Sequence, residues 1–301
     1  MRGGSRPVTA AIEEELPGTV DLVVGQRCRR VGAACPMRRR VAFLRARSTW
    51  SCRPGRRSQV DHEDATVRQA QPPPDDPSWR AGGLAALLPV QVCVEELRGD
   101  LAARRDELLP GERDVMRHAV ERRRAEFAAV RGCARRALAR LGVAGGAILP
   151  GGGGAPVWPP DVVGSMTHTD GYCAAAVASA TQVRALGIDA ELHDRLEEGV
   201  RDLVLSDAER MGLGALPPGT CWDMVSFSAK EAVFKAWYPL TRSRLGFQDV
   251  VLRIDPERGT FLARVLPVAA TPGAAPPGVS FQGRFALQDP LILTAVAVLR
   301  H

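Results

Sequence analysis

The spacing of apolar residues divides the chain into an irregular first part and a patterned remainder. Patterning begins near Leu84, after the breaker PPPDDP at 72–77. Residues 87–97, LLPVQVCVEEL, alternate apolar and polar side chains and predict a strand. From Glu112 to Leu141, Val115, Ala119, Val120, Phe127, Val130, Cys133, Ala134, Ala137, Leu138 and Leu141 recur at helical spacing and predict one long helix ending at Gly142. Residues 145–160, GGAILPGGGGAPVWPP, are too rich in glycine and proline for either element and predict a loop. No GKS or GKT follows them, so this is not a phosphate-cradling P-loop.

Residues 162–180 predict two short strands turning at Asp170 and Gly171, and residues 183–192, VRALGIDAEL, predict another strand. Two helices are expected next. Ser206 in SDAER, with Glu209 at the capping-box position, starts one; the other runs from about Thr220 to Tyr238 before Pro239 stops it. Strands at 247–254, 260–266, 279–287 and 291–299 close the chain. Two strand/helix groups with antiparallel hairpins give an α+β fold in two halves, 84–185 and 186–301. Residues 1–83 form an Arg/Pro-rich leader outside both, and compositional bias of this kind reads as an untidy extension.

Charge alone would suggest a polyanion partner, since the chain carries a net +6. The leader accounts for it: residues 1–80 hold 15 arginines against 9 acidic residues, and the remainder is balanced. A nucleic-acid module concentrates its basic charge on the folded face that binds, so nucleic acid is not the expected partner. The chain is 45% hydrophobic and 25% charged, which fits a globular protein. No run of 18 apolar residues marks a membrane span, and the first residues lack the apolar stretch of a secretory signal. Seven scattered cysteines without a CxxC pair argue against a zinc ribbon or a disulfide framework and favour a reducing cytoplasm.

Only two of the 40 cationic residues are lysines, Lys230 and Lys235. In a chain so rich in arginine, these two either mark positions where a planar guanidinium does not serve, as beside a phosphate or a metal, or fall together by chance. Asp189 and Glu191 sit two apart on a predicted strand, so both carboxylates leave on one face. The pair reads either as a solvated sheet edge or as a site for a hard divalent ion. Glu231 and Lys235 stand at i and i+4 on a predicted helix, either as a surface ion pair or as part of the same site. Taken together, three acids and a lysine describe a metal-plus-phosphate site. Thr167 and His168 lie at a predicted strand end where donors could meet a phosphate or an adenine edge, although a lone histidine is more often structural. Arg122, Arg123, Arg124 and Arg131 form a basic cluster that by default is a solvated helix face, although one or two of them could reach a ligand phosphate.

GSMTH (164–168), GIDAE (187–191) and FSAKEAVFK (227–235), in this order and spacing, resemble the signature of the 4'-phosphopantetheinyl transferase superfamily. ERRRAEFAAVRGCARRAL (121–138) followed by PVWP (156–159) is similar to the subgroup typified by enterobactin synthetase component D, which serves siderophore and other nonribosomal peptide or polyketide pathways. Val130 departs from a glycine in the family pattern, and Ala155 from a basic residue that some relatives carry.

The resemblance implies a monomeric enzyme of two pseudo-symmetric halves with coenzyme A in the cleft between them. Such an enzyme moves the phosphopantetheine arm to a serine of an apo acyl, peptidyl or aryl carrier protein and releases adenosine 3',5'-bisphosphate. By the same resemblance Asp189, Glu191 and Glu231 would hold Mg²⁺, or Mn²⁺, and Glu231 would act as base. Lys235 would contact the phosphates and Lys230 would line the groove. Thr167 and His168 would bind the 3'-phosphate end, and one of Arg123 and Arg124 the adenosine part. Two other readings are a Mg²⁺-dependent nucleotide phosphohydrolase with the same acids, and a nucleic-acid-binding protein using the basic leader.

Overall fold

The structure, a computed structural model, describes residues 83–101, 107–266 and 279–300. The expected leader lies, but for Gly83, outside these residues. Cys93–Arg98 (β1), Val162–Thr169 (β2) and Tyr172–Ser179 (β3) form an antiparallel sheet in the order β1-β3-β2. Val183–Leu192 (β4), Val250–Asp255 (β5), Thr260–Val265 (β6), Ser280–Gln288 (β7) and Leu291–Leu299 (β8) form a second antiparallel sheet in the order β4-β8-β7-β6-β5. Among the described residues five helices complete the fold: Pro110–Val115 (α1), Glu121–Arg140 (α2), Glu198–Val204 (α3), Asp207–Leu213 (α4) and Trp222–Thr241 (α5). The α+β expectation holds, each half carrying one 20-residue helix on an antiparallel sheet.

Strand periodicity sets the layers. On β3, Cys173, Ala175 and Val177 face Ala129, Cys133, Ala134 and Ala137 of α2, while Ala174, Ala176 and Ala178 face the second sheet. On β4, Leu186, Ile188 and Ala190 meet that alanine face. The odd positions of β4, from Ala185 onward, turn to α5. Alanines suit β3 because it is buried on both faces. At Gly187 a Cβ would stand 1.8 Å from the Ala232 carbonyl oxygen, so only glycine lets α5 lie this close to β4.

The structure corrects several expected boundaries. The helix expected over 112–141 is two, because Arg124 Nε donates to Met116 O at 3.0 Å and its guanidinium also reaches Arg117 O. An arginine of α2 thereby satisfies the carbonyls that end α1. The strand expected from residue 87 begins at Cys93, after a 3-10 turn at Leu84–Leu87 and a turn in which Val92 N donates to Pro89 O at 3.0 Å. Pro239 does not stop α5, which runs to Thr241 and ends at left-handed Arg242. A missing N–H in the last turn removes only one ladder bond. α3 had no counterpart among the expected helices. The capping box of Ser206 and Glu209 is present.

Glu112 fixes the approach to the glycine-rich loop. It is fully buried, and its carboxylate accepts from Leu109 N at 2.9 Å, Ile148 N at 2.9 Å and Arg135 Nη1 at 2.9 Å. The charge is thus paired and hydrogen-bonded, as burial requires.

Candidate functional site

A groove of about 1000 Å³ runs between the two halves. One wall is α2, the loop through Gly151–Gly154 and β2; the other is β4, α5 and the segment from Arg242 to Val250. The loop bears no side chains where it meets α5, since a Cβ on Gly153 would lie 2.6 Å from Tyr238 Oη. Gly164 is glycine for a similar reason: Trp158 crosses it and donates Nε1–H to its carbonyl at 3.0 Å. The motifs PVWP and GSMTH therefore form one packing unit.

The seam between the sheets is unusual in chemistry. Ser165 Oγ accepts from Ile188 N at 3.1 Å, and Thr167 Oγ1 accepts from Ala190 N at 3.0 Å. Hydroxyls of β2 thus stand where carbonyls of a paired strand would stand, satisfying the open edge of β4. Thr167 Oγ1 in turn donates to Asp189 Oδ1 at 3.3 Å.

Asp189, 5% exposed, is held from three sides. Besides Thr167, Lys235 Nζ donates to Oδ1 at 2.7 Å and Ser228 Oγ to Oδ2 at 2.8 Å. Lys235 Nζ also donates to Ile188 O at 2.9 Å. Thr294 of β8 supports Ser228 by donating to its carbonyl at 3.0 Å. Glu191, one strand period further along β4, and Glu231 of α5 are both buried and line the same groove. The acids expected from sequence therefore all line one groove, and Lys235 with them.

As a metal centre the arrangement matches in kind but not in convergence. Among the described residues, no three Asp, Glu, His or Cys side chains are gathered closely enough to hold an ion by themselves. Lys235 takes one oxygen of Asp189 instead. Mg²⁺ is commonly held by one or two carboxylates together with waters and substrate phosphates, so carboxylate oxygens on one groove wall still fit it chemically.

Lys230 lines the groove, as expected, but with its stem rather than its charge. Its stem forms part of the groove wall, yet its ammonium is buried among Val204 O at 2.8 Å, Glu209 Oε2 at 2.9 Å and Phe247 O at 3.0 Å. An ammonium has three donors, and three acceptors meet it here, so it ties α5 to α3 and α4 rather than presenting charge to a ligand. Burial lowers its pKa, against the pull of Glu209.

Of the paired arginines, Arg123 lies in the groove and Arg124 does not. Arg123 Nη1 stands 2.8 Å from His168 Nε2, joining α2 to β2 beside Thr167. Arg131 belongs to the cluster whose default reading is a solvated helix face, and the structure places it otherwise. It is buried, its guanidinium lies 3.3 Å over the Phe127 ring, and it lines the groove. The signal was present in the spacing: Arg123, Phe127 and Arg131 at i, i+4 and i+8 share one helix face.

Comparison with known proteins bears directly on this geometry. Residues 111–178 match the family model described as 4'-phosphopantetheinyl transferase N-terminal domain, and residues 185–272 match that of the 4'-phosphopantetheinyl transferase superfamily. The chain is 47% identical over 222 residues to 4'-phosphopantetheinyl transferase Svp of Streptomyces mobaraensis, covering 71% of this chain and 89% of that protein. It is 44% identical over 195 residues to Npt of Nocardia iowensis, covering 62% and 88%. It is 39% identical over 222 residues to PptT of Mycobacterium tuberculosis, covering 71% and 97%. Both Npt and PptT are likewise named 4'-phosphopantetheinyl transferases.

Proposed function

Because the chain belongs to the 4'-phosphopantetheinyl transferase superfamily, we propose that it transfers the phosphopantetheine arm of coenzyme A to a carrier-protein serine from the groove between its halves. The observation that carries this reading is the meeting of β4 and α5, where Asp189, Glu191, Glu231 and Lys235 reach one groove.

In the proposed reaction the serine oxygen attacks the phosphorus that bears the pantetheine arm. A new P–O bond forms to serine as the bond to adenosine 3',5'-bisphosphate breaks. Glu231, directly or through a water, takes the hydroxyl proton. Lys235 offsets charge on the phosphates, and its second bond, to Ile188 O, fixes it there. Asp189, Glu191 and Glu231 are the residues that would hold Mg²⁺, which when bound would polarise the pyrophosphate and neutralise charge on the leaving group. Ser228 and Thr167 orient Asp189. Thr167, His168 and Arg123 receive the 3'-phosphate end. That the enzyme works as a monomer rests on the family motifs alone. Action in the cytoplasm rests on the scattered cysteines without a CxxC pair, and a role in siderophore or other nonribosomal peptide or polyketide synthesis rests on the motifs. Among the described residues no helix is long and apolar enough to cross a membrane.

The test is intact-protein mass spectrometry of an apo carrier protein after incubation with coenzyme A, Mg²⁺ and the enzyme. A gain of one phosphopantetheine, abolished by a chelator, is expected. Breakdown of coenzyme A without any carrier present would identify a phosphohydrolase instead.

A further inference from the structure

Glu126 is a carboxylate set just behind the part of the groove wall formed by Arg123 and His168. It lies on α2 with its side chain 9% exposed and does not itself line the groove. Its Oε1 accepts from Arg122 Nε at 2.8 Å. Its Oε2 stands 3.5 Å from Arg123 Nη1 and 3.6 Å from His168 Nε2. Arg123 and His168 are themselves 2.8 Å apart, and both line the groove. Since an arginine can only donate, His168 Nε2 accepts in this contact and the ring proton sits on Nδ1. Asp170 Oδ1 also lies 4.0 Å from Arg122 Nη2.

We propose that Glu126 is a positioning residue, clamping Arg123 against His168 so that the pair forms one anion-receiving corner for the 3'-phosphate of coenzyme A. This rests on the reading above that Arg123 and His168 receive that phosphate. A guanidinium on a flexible stem loses rotamer freedom when it binds an anion; an arginine already held by a carboxylate has lost it beforehand. The arrangement follows a general pattern in which a partner behind the binding group fixes its orientation.

Simple charge counting and positioning predict opposite signs. Removing a negative charge near a polyanion should strengthen binding by Coulomb attraction alone; removing a clamp should weaken it. The experiment is calorimetric titration of the full chain with coenzyme A and with 3'-dephospho-coenzyme A, for wild type and Glu126→Gln. Wild type is expected to prefer coenzyme A. In Glu126→Gln that preference should fall about tenfold, as expected for losing a hydrogen bond to a charged group, with dephospho-coenzyme A affinity unchanged. In an Arg123→Ala background, Glu126→Gln should leave the preference where Arg123→Ala put it.

A preference that survives or grows in folded Glu126→Gln overturns the inference, as does an equal loss for both ligands. A wild type that binds both ligands alike overturns the placement of the 3'-phosphate, and the inference falls with it. Should Glu126→Gln fail to fold, Glu126→Asp keeps the charge but draws it back by one methylene. It reads the same ratio, and an unchanged preference there counts against the clamp.

Discussion

Lys235 Nζ lies 2.7 Å from Asp189 Oδ1 and 2.9 Å from Ile188 O, so one ammonium binds both the side chain and the main chain of β4 from α5. A compact charge with freely directed donors can make both bonds; a planar fork on a longer stem cannot occupy the same point. Lys235→Arg should therefore lower kcat/KM on the order of tenfold or more while leaving the melting temperature within a few degrees. Steady-state kinetics with a carrier protein, alongside a thermal melt, reads both. Wild-type kinetics in this variant would remove the case for lysine at this position.

The two neighbouring arginines of α2 should separate cleanly. Arg124 ends α1 by hydrogen-bonding Met116 O and Arg117 O, whereas Arg123 faces the groove beside His168. Arg124→Ala is expected to cost about 1 kcal/mol of stability, as for loss of a helix-terminal hydrogen bond, with coenzyme A affinity nearly unchanged. Arg123→Ala should weaken coenzyme A binding about tenfold, the cost of one charge-assisted contact. Chemical denaturation and calorimetry on the pair of variants check this, and a reversed pattern would refute the assignment of the two side chains.

How far these roles were legible in the sequence depends on whether they follow from spacing or from what lies opposite. The period of two on β4 was enough to put Asp189 and Glu191 on one face, and i to i+4 spacing put Lys235 on the face of Glu231. Lys230 lies five residues before Lys235, about 140° around the helix, so it could not share that face. Its partner Glu209 sits on another helix, which no local pattern announces. The break between α1 and α2 was likewise invisible, because the apolar spacing continues through it and the group that stabilises it is the arginine of a later turn. Arg131 looked solvated because its burial depends on Phe127 and on Ile148 O, both placed by tertiary packing. At Pro239 the local rule was outweighed because the helix was already ending.

The buried pair of Lys230 and Glu209 makes a stability prediction. Glu209 also accepts from Ser206 N at 2.9 Å and from Leu252 N at 3.0 Å, so the pair joins α4, α5 and β5. Lys230→Met leaves a buried carboxylate without its cation and should cost about 3–5 kcal/mol in urea unfolding. The pH dependence has a definite sign. Burial holds the Lys230 ammonium below its ordinary 10.5, so in the alkaline window under that value the unfolded chain keeps a proton that the folded chain gives up. Stability contributed by this group therefore rises with pH through that window, and the gap between wild type and Lys230→Met should widen. A gap that narrows there would contradict the burial of this lysine.

Gly187 decides whether the two halves of the site can meet at all. A Cβ at this position would lie 1.8 Å from Ala232 O and 2.9 Å from Ala236 N, and both obstacles are backbone of α5, which cannot rotate away. Gly187→Ala must push α5 off β4, at a cost at or above the upper end of ~1–3 kcal/mol for overpacking a core. The displacement would also carry Glu231 and Lys235 away from Asp189 and Glu191, so any folded fraction should lose turnover together with stability. Gly199, inside α3 with nothing within 4 Å of a Cβ, is the control: Gly199→Ala should be neutral or stabilising by up to about 1 kcal/mol, because alanine favours helix and meets no neighbour. Urea unfolding midpoints for the two variants provide the comparison. If Gly187→Ala unfolds no more easily than Gly199→Ala, the close approach of α5 to β4 is wrong, and with it the geometry that brings the acids and the lysine into one groove.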